Sequence, residues 1–339
     1  FLEGDSSDES GTSCNHLAQL PDGDLIVAGS INTVVDFGLD TSTFVVQLDS
    51  GGYDYYVARY DTSGALVWAD VFSGSEQGSL ESITTDLAGN VYIGGWLRGI
   101  YDFDPGPGVV NLVATDSLGS DGFMVKINAY RSLAWARQLK STGFAVVLDL
   151  AVDDNQQLYA IMQGSEEVDL DPGPGTYVHS DTGRIFLARY DTNGDLVWAK
   201  QMGGVQVFGN MTAVVEVSPT QEVYMMADYH QSGQYGPFDF NSNGKSNSMV
   251  LLKLDTNGNY IWGEAFGTTF NGNIVGNGMT FNSQGQLLII GSYDRAIDFD
   301  PGPGTFYQTS AGWYDGYILQ LDTNGDFGWA KFIEGYDRE

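Results

Sequence analysis

Asp191 to Lys200 reads DTNGDLVWAK, a tight turn followed by a short apolar strand that carries one tryptophan. The stretch recurs as DTSGALVWAD at Asp61 to Asp70, DTNGNYIWGE at Asp255 to Glu264 and DTNGDFGWAK at Asp322 to Lys331. A weaker copy, NAYRSLAWAR, lies at Asn128 to Arg137. The tryptophans Trp68, Trp135, Trp198, Trp262 and Trp329 are 67, 63, 64 and 67 residues apart. The chain is therefore built from five tandem copies of one unit, and a repeat decides architecture before any local reading does. It also makes a recurring surface or a scaffold, rather than one active site, the first functional expectation.

Working outward, each turn is preceded by another apolar stretch: YYVARYD, FMVKIN, IFLARYD, MVLLKLD and YILQLD. Each unit opens with two more, as in LAQLPDGDLIVAG (Leu17 to Gly29), ITTDLAGNVYIGG (Ile83 to Gly95) and MTFNSQGQLLIIG (Met279 to Gly291). The central D-G, A-G-N and Q-G steps are hairpin chemistry, because Gly and Asn accept positive φ at little cost. The flanking residues are β-branched or aromatic and bounded by turns, so both arms are predicted strands. Four antiparallel strands in each repeat form a β-propeller blade. The expectation is an all-β chain of about twenty strands, one domain over residues 1–339, in about five four-stranded blades. The copies run approximately over 14–78, 79–144, 145–208, 209–272 and 273–335. A β-solenoid competes poorly, since its coils are shorter. FLEG at Phe1 to Gly4 resembles FIEG at Phe332 to Gly335, so the chain starts and stops at one phase of the repeat. That is expected of a segment of something longer, and the blades would then belong to a larger propeller.

A blade cannot bury its faces alone, and a large flat ring docked on the next blade fixes the spacing between sheets. All five tryptophans are therefore expected at blade–blade contacts, in preference to a surface set of sugar-stacking aromatics. Arg59, Lys126, Arg189 and Lys253 share one repeat position, and Arg137, Lys200 and Lys331 another, two residues after the tryptophan. Asp70 and Glu264 break the second series, and Gln320 the first. Local ion pairs are the preferred reading of these bases; a basic lining to a channel is the sharper one.

Acids outnumber bases by 44 to 14, for a formal net charge of −30. Such a surface repels nucleic acid and anionic membranes. It suits a saline exterior, cation binding, or both. Apolar content of 42% in 339 residues supports a substantial core. Cys14 is the only cysteine, so no internal disulfide forms. No stretch approaches the eighteen or so apolar residues of a membrane span.

The strongest chemical signal is an acidic motif after the second strand. DFDPGPG occurs at Asp102 to Gly108 and Asp298 to Gly304, and DLDPGPG at Asp169 to Gly175. The fourth copy has DFNSNG, at Asp239 to Gly244, and the first a degraded DFGLD at Asp36 to Asp40. Residues two apart on an extended chain project to one side. The pairs Asp102/Asp104, Asp169/Asp171 and Asp298/Asp300 therefore converge and repel unless a cation intervenes. With carbonyls from the Pro-Gly bend, such loops are predicted Ca²⁺ ligands, together with Asp239, Asn241 and Asn243, which match the first half of an EF-hand-like loop. The competing reading is a set of stiff acidic turns whose carboxylates accept backbone amides. A paired-carboxylate glycosidase site fits poorly, because the pair recurs in three copies.

His16, His179 and His230 have no metal-ligand spacing. No G-x-S-x-G elbow or phosphate loop is present. No catalytic residue and no further cofactor is assigned, and the chain is read as non-enzymatic.

GNVYIGG, DFDPGPG, GFMVKIN and LAWA, in that order in the second copy, resemble the bacterial secreted β-propeller repeats known as SBBP repeats. The likeness extends over all five copies. It is most literal at Gly89 to Gly95, Asp102 to Gly108, Asp191 to Lys200 and Asp298 to Gly304. Copies one and four depart in the acidic loop, and copy two lacks the glycine turn. The resemblance implies a large extracellular or cell-surface protein, of the kind found in Bacteroidota, and a seven-bladed propeller, of which five copies fall short. It supplies no catalytic residues. The functional expectation is a structural or adhesive module that displays loops or packs with other chains or copies of itself. The alternatives are an extracellular polysaccharide hydrolase or lyase with a central-channel site, and a lectin-like binder of cell-surface glycan.

Overall fold

The computed structural model describes residues 13–32, 34–38, 45–46, 54–179, 184–202, 212–229, 232–241, 248–267 and 272–335. Among them no residue is helical, and no helix is long and apolar enough to cross a membrane. Five four-stranded antiparallel sheets follow one another along the chain, each with its strands in sequence order. They are the blades of a β-propeller.

The first blade pairs His16–Gln19, Leu25–Ile31, Asp54–Tyr60 and Leu66–Phe72. The second pairs Gly78–Thr85, Val91–Leu97, Asp121–Ile127 and Leu133–Leu139. The third pairs Ala145–Val152, Leu158–Gly164, Arg184–Tyr190 and Leu196–Gln201. The fourth pairs Ala213–Val217, Val223–Tyr229, Ser248–Leu254 and Tyr260–Phe266. The fifth pairs Ile274–Phe281, Leu287–Tyr293, Asp315–Leu321 and Phe327–Ile333.

Thirty strands are described in all, not about twenty. The extra ones lie in the acidic segments, expected as loops. Ile100–Asp102 pairs with Asn111–Val113, Val168–Asp169 with Val178–His179, and Ala296–Asp298 with Tyr307–Thr309. Val35–Asp36 pairs with Val45–Val46 in the first blade, and Ser232–Tyr235 with Phe238–Asn241 in the fourth. The motif is thus one strand and the turn of a short ribbon. Its alternation explains why: Phe103, Leu170 and Phe299 are fully buried while the aspartates on either side are half-buried. The middle residue is a peg into the core, and its neighbours must face the other way.

The chain divides into two compact units, Phe1–Thr182 with Ala188–Val197, and Gly183–Leu187 with Trp198–Glu339. In the first unit, Leu20, Ile26 and Tyr55 of the first blade share a core with Ile93, Phe103 and Phe123 of the second. In the second unit, Tyr224, Met226 and Met249 of the fourth blade share one with Ile274, Ile289 and Tyr317 of the fifth. Packing between adjacent sheets is what buries these faces, at roughly 1.5–3 kcal/mol for each fully buried large side chain.

Three residues line up across the middle of a blade. In the second, Tyr92 pairs with Lys126 and Lys126 with Trp135; in the fourth, Tyr224 pairs with Lys253 and Lys253 with Trp262. In these two blades strand register sets the recurring lysine between an aromatic ring on either side, whereas in the first Arg59 lies between Ile26 and Trp68. A register shift follows immediately, between Lys126 and Ile127 and between Lys253 and Leu254. Such a bulge twists the strand and re-aims its side chains.

Candidate functional site

The recurring tryptophan is a docking device, and the turn it meets belongs to the next blade. Trp135 Nε1 donates to the Thr192 carbonyl at 3.1 Å, Trp198 to Thr256 at 3.0 Å and Trp262 to Thr323 at 3.3 Å. Each acceptor is the Thr of a D-T-N-G turn. The turn's glycine makes room for the ring. Gly194 has φ +76°, and a Cβ there would sit 3.1 Å from the Trp135 ring; Gly258, at φ +77°, is placed likewise 3.2 Å from Trp198. Glycine is favoured twice over, by its left-handed backbone and by the ring's approach. The turn's aspartate secures it from within: Asp191 Oδ1 accepts the Asn193 and Asp195 amides at 2.8 and 3.0 Å.

The base two residues after the tryptophan closes the dock. Arg137 Nη2 donates to the Asn193 carbonyl at 2.6 Å and reaches Asp195 at 3.3 Å. In the first blade this position holds an acid, Asp70, and the second blade's turn has Arg131 in place of the glycine. Arg131, at φ 62°, pairs bidentately with Asp70, and its guanidinium lies 5.3 Å from the Trp68 ring. The charges are exchanged across the interface and the attraction is kept. Both departures noted in the sequence, the acid at 70 and the missing glycine turn, are the two halves of one pair. At the fourth blade Glu264 faces Asp326 instead; burial and that neighbour raise its pKa. Lys253 compensates there by donating to the Thr323 carbonyl at 3.0 Å.

Burial of the five indoles is graded. Trp135 is buried, Trp68, Trp198 and Trp262 are half-buried, and Trp329 is exposed at 38%. The expectation of five buried rings is therefore corrected at Trp329. The third-strand bases mostly take local partners. Arg59 bridges Asp22 and Asp24 at 2.6 and 2.7 Å, and Lys253 pairs with Glu222 at 3.3 Å. Lys126 instead reaches Gln156 Oε1 at 3.1 Å and lies 4.9 Å from the Tyr92 ring, and burial lowers its pKa.

The acidic ribbons repeat one geometry. Asp102 Oδ1 accepts the amides of Asp104 at 3.0 Å and Val110 at 2.8 Å, and Asp104 Oδ1 accepts Gly106 at 2.8 Å. Asp169 accepts Asp171 and Tyr177 at 3.1 and 2.8 Å; Asp298 accepts Asp300 and Phe306 at 3.2 and 2.7 Å. Asp171 and Asp300 accept Gly173 and Gly302 at 2.8 and 2.9 Å. The last glycine of the motif forms a cradle for the second carboxylate. A Cβ on Gly108, Gly175 or Gly304 would lie 2.1 Å from Oδ2 of Asp104, Asp171 or Asp300. Asp36 begins the same turn in the first copy, accepting the Gly38 amide at 2.9 Å; Leu39 and Asp40 lie outside the described residues. In the fourth copy Asp239 is exposed on the second strand of its ribbon, opposite Gln234. Asn241 ends that strand, and Asn243 lies outside the described residues.

In the three DxDPGPG copies, and at Asp36 in the first, these carboxylates accept backbone amides. Among the described residues no three His, Cys, Asp or Glu come together as a metal-binding group. A Ca²⁺ ion here would take two carboxylates and complete its shell with carbonyls and water. His16 accompanies Leu80, with Nε2 2.9 Å from its carbonyl, and burial lowers the His16 pKa; His179 lies in the third ribbon, and His230 is outside the described residues.

A second set of acids was not singled out in the sequence. Asp54, Asp121 and Asp315 open the third strands of three blades and are buried. Asp121 accepts the Thr115 amide and hydroxyl at 2.8 and 2.7 Å and the Ser141 amide at 2.9 Å. Asp315 accepts the Ala311 and Gly335 amides at 2.7 and 2.9 Å. Asp121 and Asp315 each tie the loop before the strand to the segment after the fourth strand, and Asp54 accepts the Gly74 amide of that latter segment at 3.0 Å. The signal was an aspartate immediately ahead of an apolar run. Asp228 is also buried, in the fourth blade, and burial pushes its pKa up to about 7 against hydrogen bonding from the backbone at Thr212 and Gly276.

Sheets repeated in tandem and locked through an indole on a neighbour's turn define a β-propeller held together by its own repeat. No family model matches the chain. A stretch of 147 residues is 23% identical to an uncharacterised WD repeat-containing protein of Acanthamoeba polyphaga mimivirus, covering 42% of this chain and 11% of that protein. A crystal structure of a protein of unknown function from Bacteroides caccae overlays with a TM-score of 0.41 at 7% identity, over 82% of this chain and 89% of that one.

Proposed function

We propose that this chain is a non-enzymatic structural or adhesive module of a bacterial cell-surface protein built from SBBP-type repeats. The observation that carries it is the use of the recurring acids. In the three DxDPGPG ribbons the aspartates hold backbone amides, and in the turns they stiffen the docking surface. What repeats in this molecule is rigid support. A net charge of −30 suits a saline exterior and a partner that is neither nucleic acid nor anionic lipid. Ca²⁺ held by Asp102/Asp104, Asp169/Asp171 and Asp298/Asp300, with weaker ligation at Asp239, Asn241 and Asn243, belongs to this reading. Sites of two carboxylates suit the millimolar affinities of extracellular modules.

The test is incubation of the purified chain with a panel of cell-surface and algal polysaccharides, read for new reducing or unsaturated ends and for retention on the polymer. The module reading expects no turnover; release of chain ends would replace it with a hydrolase or lyase. One observation favours glycan binding as a second reading. Trp313 and Tyr314 are exposed side by side in the fifth blade, with Tyr307 of its ribbon also exposed. Retention that disappears in Trp313→Ala would establish it.

A further inference from the structure

Between the fourth and fifth blades lies a buried group of donors that the repeat does not explain. Met226 and Asp228 are two apart on one strand, and register sets Asp228 opposite Met249 on the next. Alternation therefore turns all three side chains to one face of the fourth blade. That face packs on the first strand of the fifth blade, Ile274–Phe281, where Gly276 receives them. A Cβ on Gly276 would collide with Met226 Sδ and lie 2.8 Å from Met249 Sδ. The two sulfurs thus adjoin one another over one missing side chain. The Gly276 backbone also hydrogen-bonds to Asp228, so the carboxylate and both thioethers converge on a single residue. Tyr317 of the fifth blade closes the group, with its hydroxyl 3.5 Å from Met249 Sδ and 3.1 Å from the Val275 carbonyl.

All four side chains are buried, Asp228 at 4% exposed among them. Asp228 Oδ1 is sealed from solvent and has no hydrogen-bond partner. Buried polar atoms are nearly always paired, and an exception calls for a reason. An ionised carboxylate in such a place needs a counter-charge. Ca²⁺ takes roughly six to eight oxygen ligands, and this face does not offer them. A water needs about two to four polar partners, and thioethers are weak acceptors. What surrounds Asp228 Oδ1 is soft sulfur, and sulfur beside one anionic oxygen is the donor set of a soft monovalent cation.

The set is also unrepeated. The other four blades have Ala, Gly or Ile in the place of Met226, and Ser, Trp or Gln in that of Asp228. In the place of Gly276 the second and third blades have Leu80 and Val147. Two methionines over a glycine are ordinary gap-filling in a core. An acid beside them is not, because burying a carboxylate costs more than burying the Ser or Gln that other blades use.

We propose that Met226, Met249 and Asp228 bind one Cu⁺ ion between the fourth and fifth blades. Both thioethers and Asp228 Oδ1 ligate it, and Tyr317 packs beside the Met249 sulfur. The single charge of Cu⁺ matches that of the carboxylate, so the bound group is neutral and stays buried. The ion ties two strands of the fourth blade together over the Gly276 strand of the fifth, and by binding only the folded chain it stabilises that packing. The site is independent of the module reading above.

Transfer of Cu⁺ from its coloured bicinchoninate complex, under argon with ascorbate, tests this. The whole chain is used in a Cys14→Ser background, which removes the only thiol. Copper is offered to the folded chain and also during refolding from urea, so that slow entry into a buried site is not read as failure. One equivalent per chain should leave the chelator, and X-ray absorption of the product should show two sulfur neighbours at copper. Met226→Leu with Met249→Leu conserves the core's volume and should abolish the transfer, with circular dichroism and the urea midpoint checking the fold. Asp228→Asn should weaken binding by more than the roughly 10–100-fold lost with a residue that only supports a ligand. No transfer by either route overturns the proposal. So does transfer retained by the double leucine chain, or affinity unchanged by Asp228→Asn. A copper centre without sulfur neighbours overturns it whatever the variants do.

Discussion

Replacing Trp135 with alanine should destabilise the protein much more than replacing Trp329, although the two occupy one repeat position. Trp135 is 8% exposed and Trp329 38%, a difference of 30 points. An indole presents roughly 200 Å², so that difference is about 60 Å², or ~1.5 kcal/mol at 25 cal/mol per Å². Trp135 also donates to Thr192 at 3.1 Å, a bond worth about 1 kcal/mol net. Its loss leaves a cavity between the Gly194 turn and Tyr92, whose ring centroid lies 6.1 Å away, whereas truncating Trp329 opens only onto solvent. Trp135→Ala should therefore cost ~3–5 kcal/mol, and Trp329→Ala about 2.5 kcal/mol less. Urea unfolding followed by far-UV circular dichroism and by hydrogen exchange reads the difference. Concentrations should be low enough to keep the chain monomeric. Costs equal to within about 0.5 kcal/mol, beyond the scatter of independent surface substitutions, would refute the docking account.

Arg131→Ala should cost about 1–3 kcal/mol, because it leaves buried Asp70 without its guanidinium partner. The combination Asp70→Lys with Arg131→Gly should recover most of that loss in a double-mutant cycle, since it rebuilds the arrangement seen at Arg137 and Gly194. Asp228 imposes a pH dependence. Its folded pKa of about 7 lies above the ordinary 3.8, so between those values the folded chain holds a proton that the unfolded chain has released. Stability should therefore fall as pH rises from 4 to 7, by up to on the order of 4 kcal/mol, and Asp228→Asn should remove that slope and raise stability at pH 8. The melting temperature should rise with millimolar Ca²⁺ and fall in chelator, with NaCl at matched ionic strength having no comparable effect. Asp298→Asn with Asp300→Asn should weaken the response, and a curve indifferent to both would leave the ribbons as stiff turns.

Much of this protein could be read from its sequence because the repeat multiplies every local signal. A single D-T-N-G turn or lone tryptophan says little, but five phased copies decide strand order, hairpin turns and blade count. They do so because each blade needs the same faces buried. The pairing of Asp102 with Asp104 was legible for the same reason: period-two alternation puts both on one side of Phe103. What the carboxylates do there was not legible. Whether a paired aspartate waits for a cation or accepts an amide depends on where the backbone of Val110 or Tyr177 returns, eight residues later, and only the folded ribbon sets that. Asp70 and Arg131 looked like two unrelated lapses because they are 61 residues apart; tertiary structure makes them one ion pair. The sequence gives Trp329 the same neighbours as Trp135, and the two differ in what lies across from them. A strand's own residues determine which face is apolar, but burial belongs to the pair of surfaces that meet, and that is settled only when the blades pack.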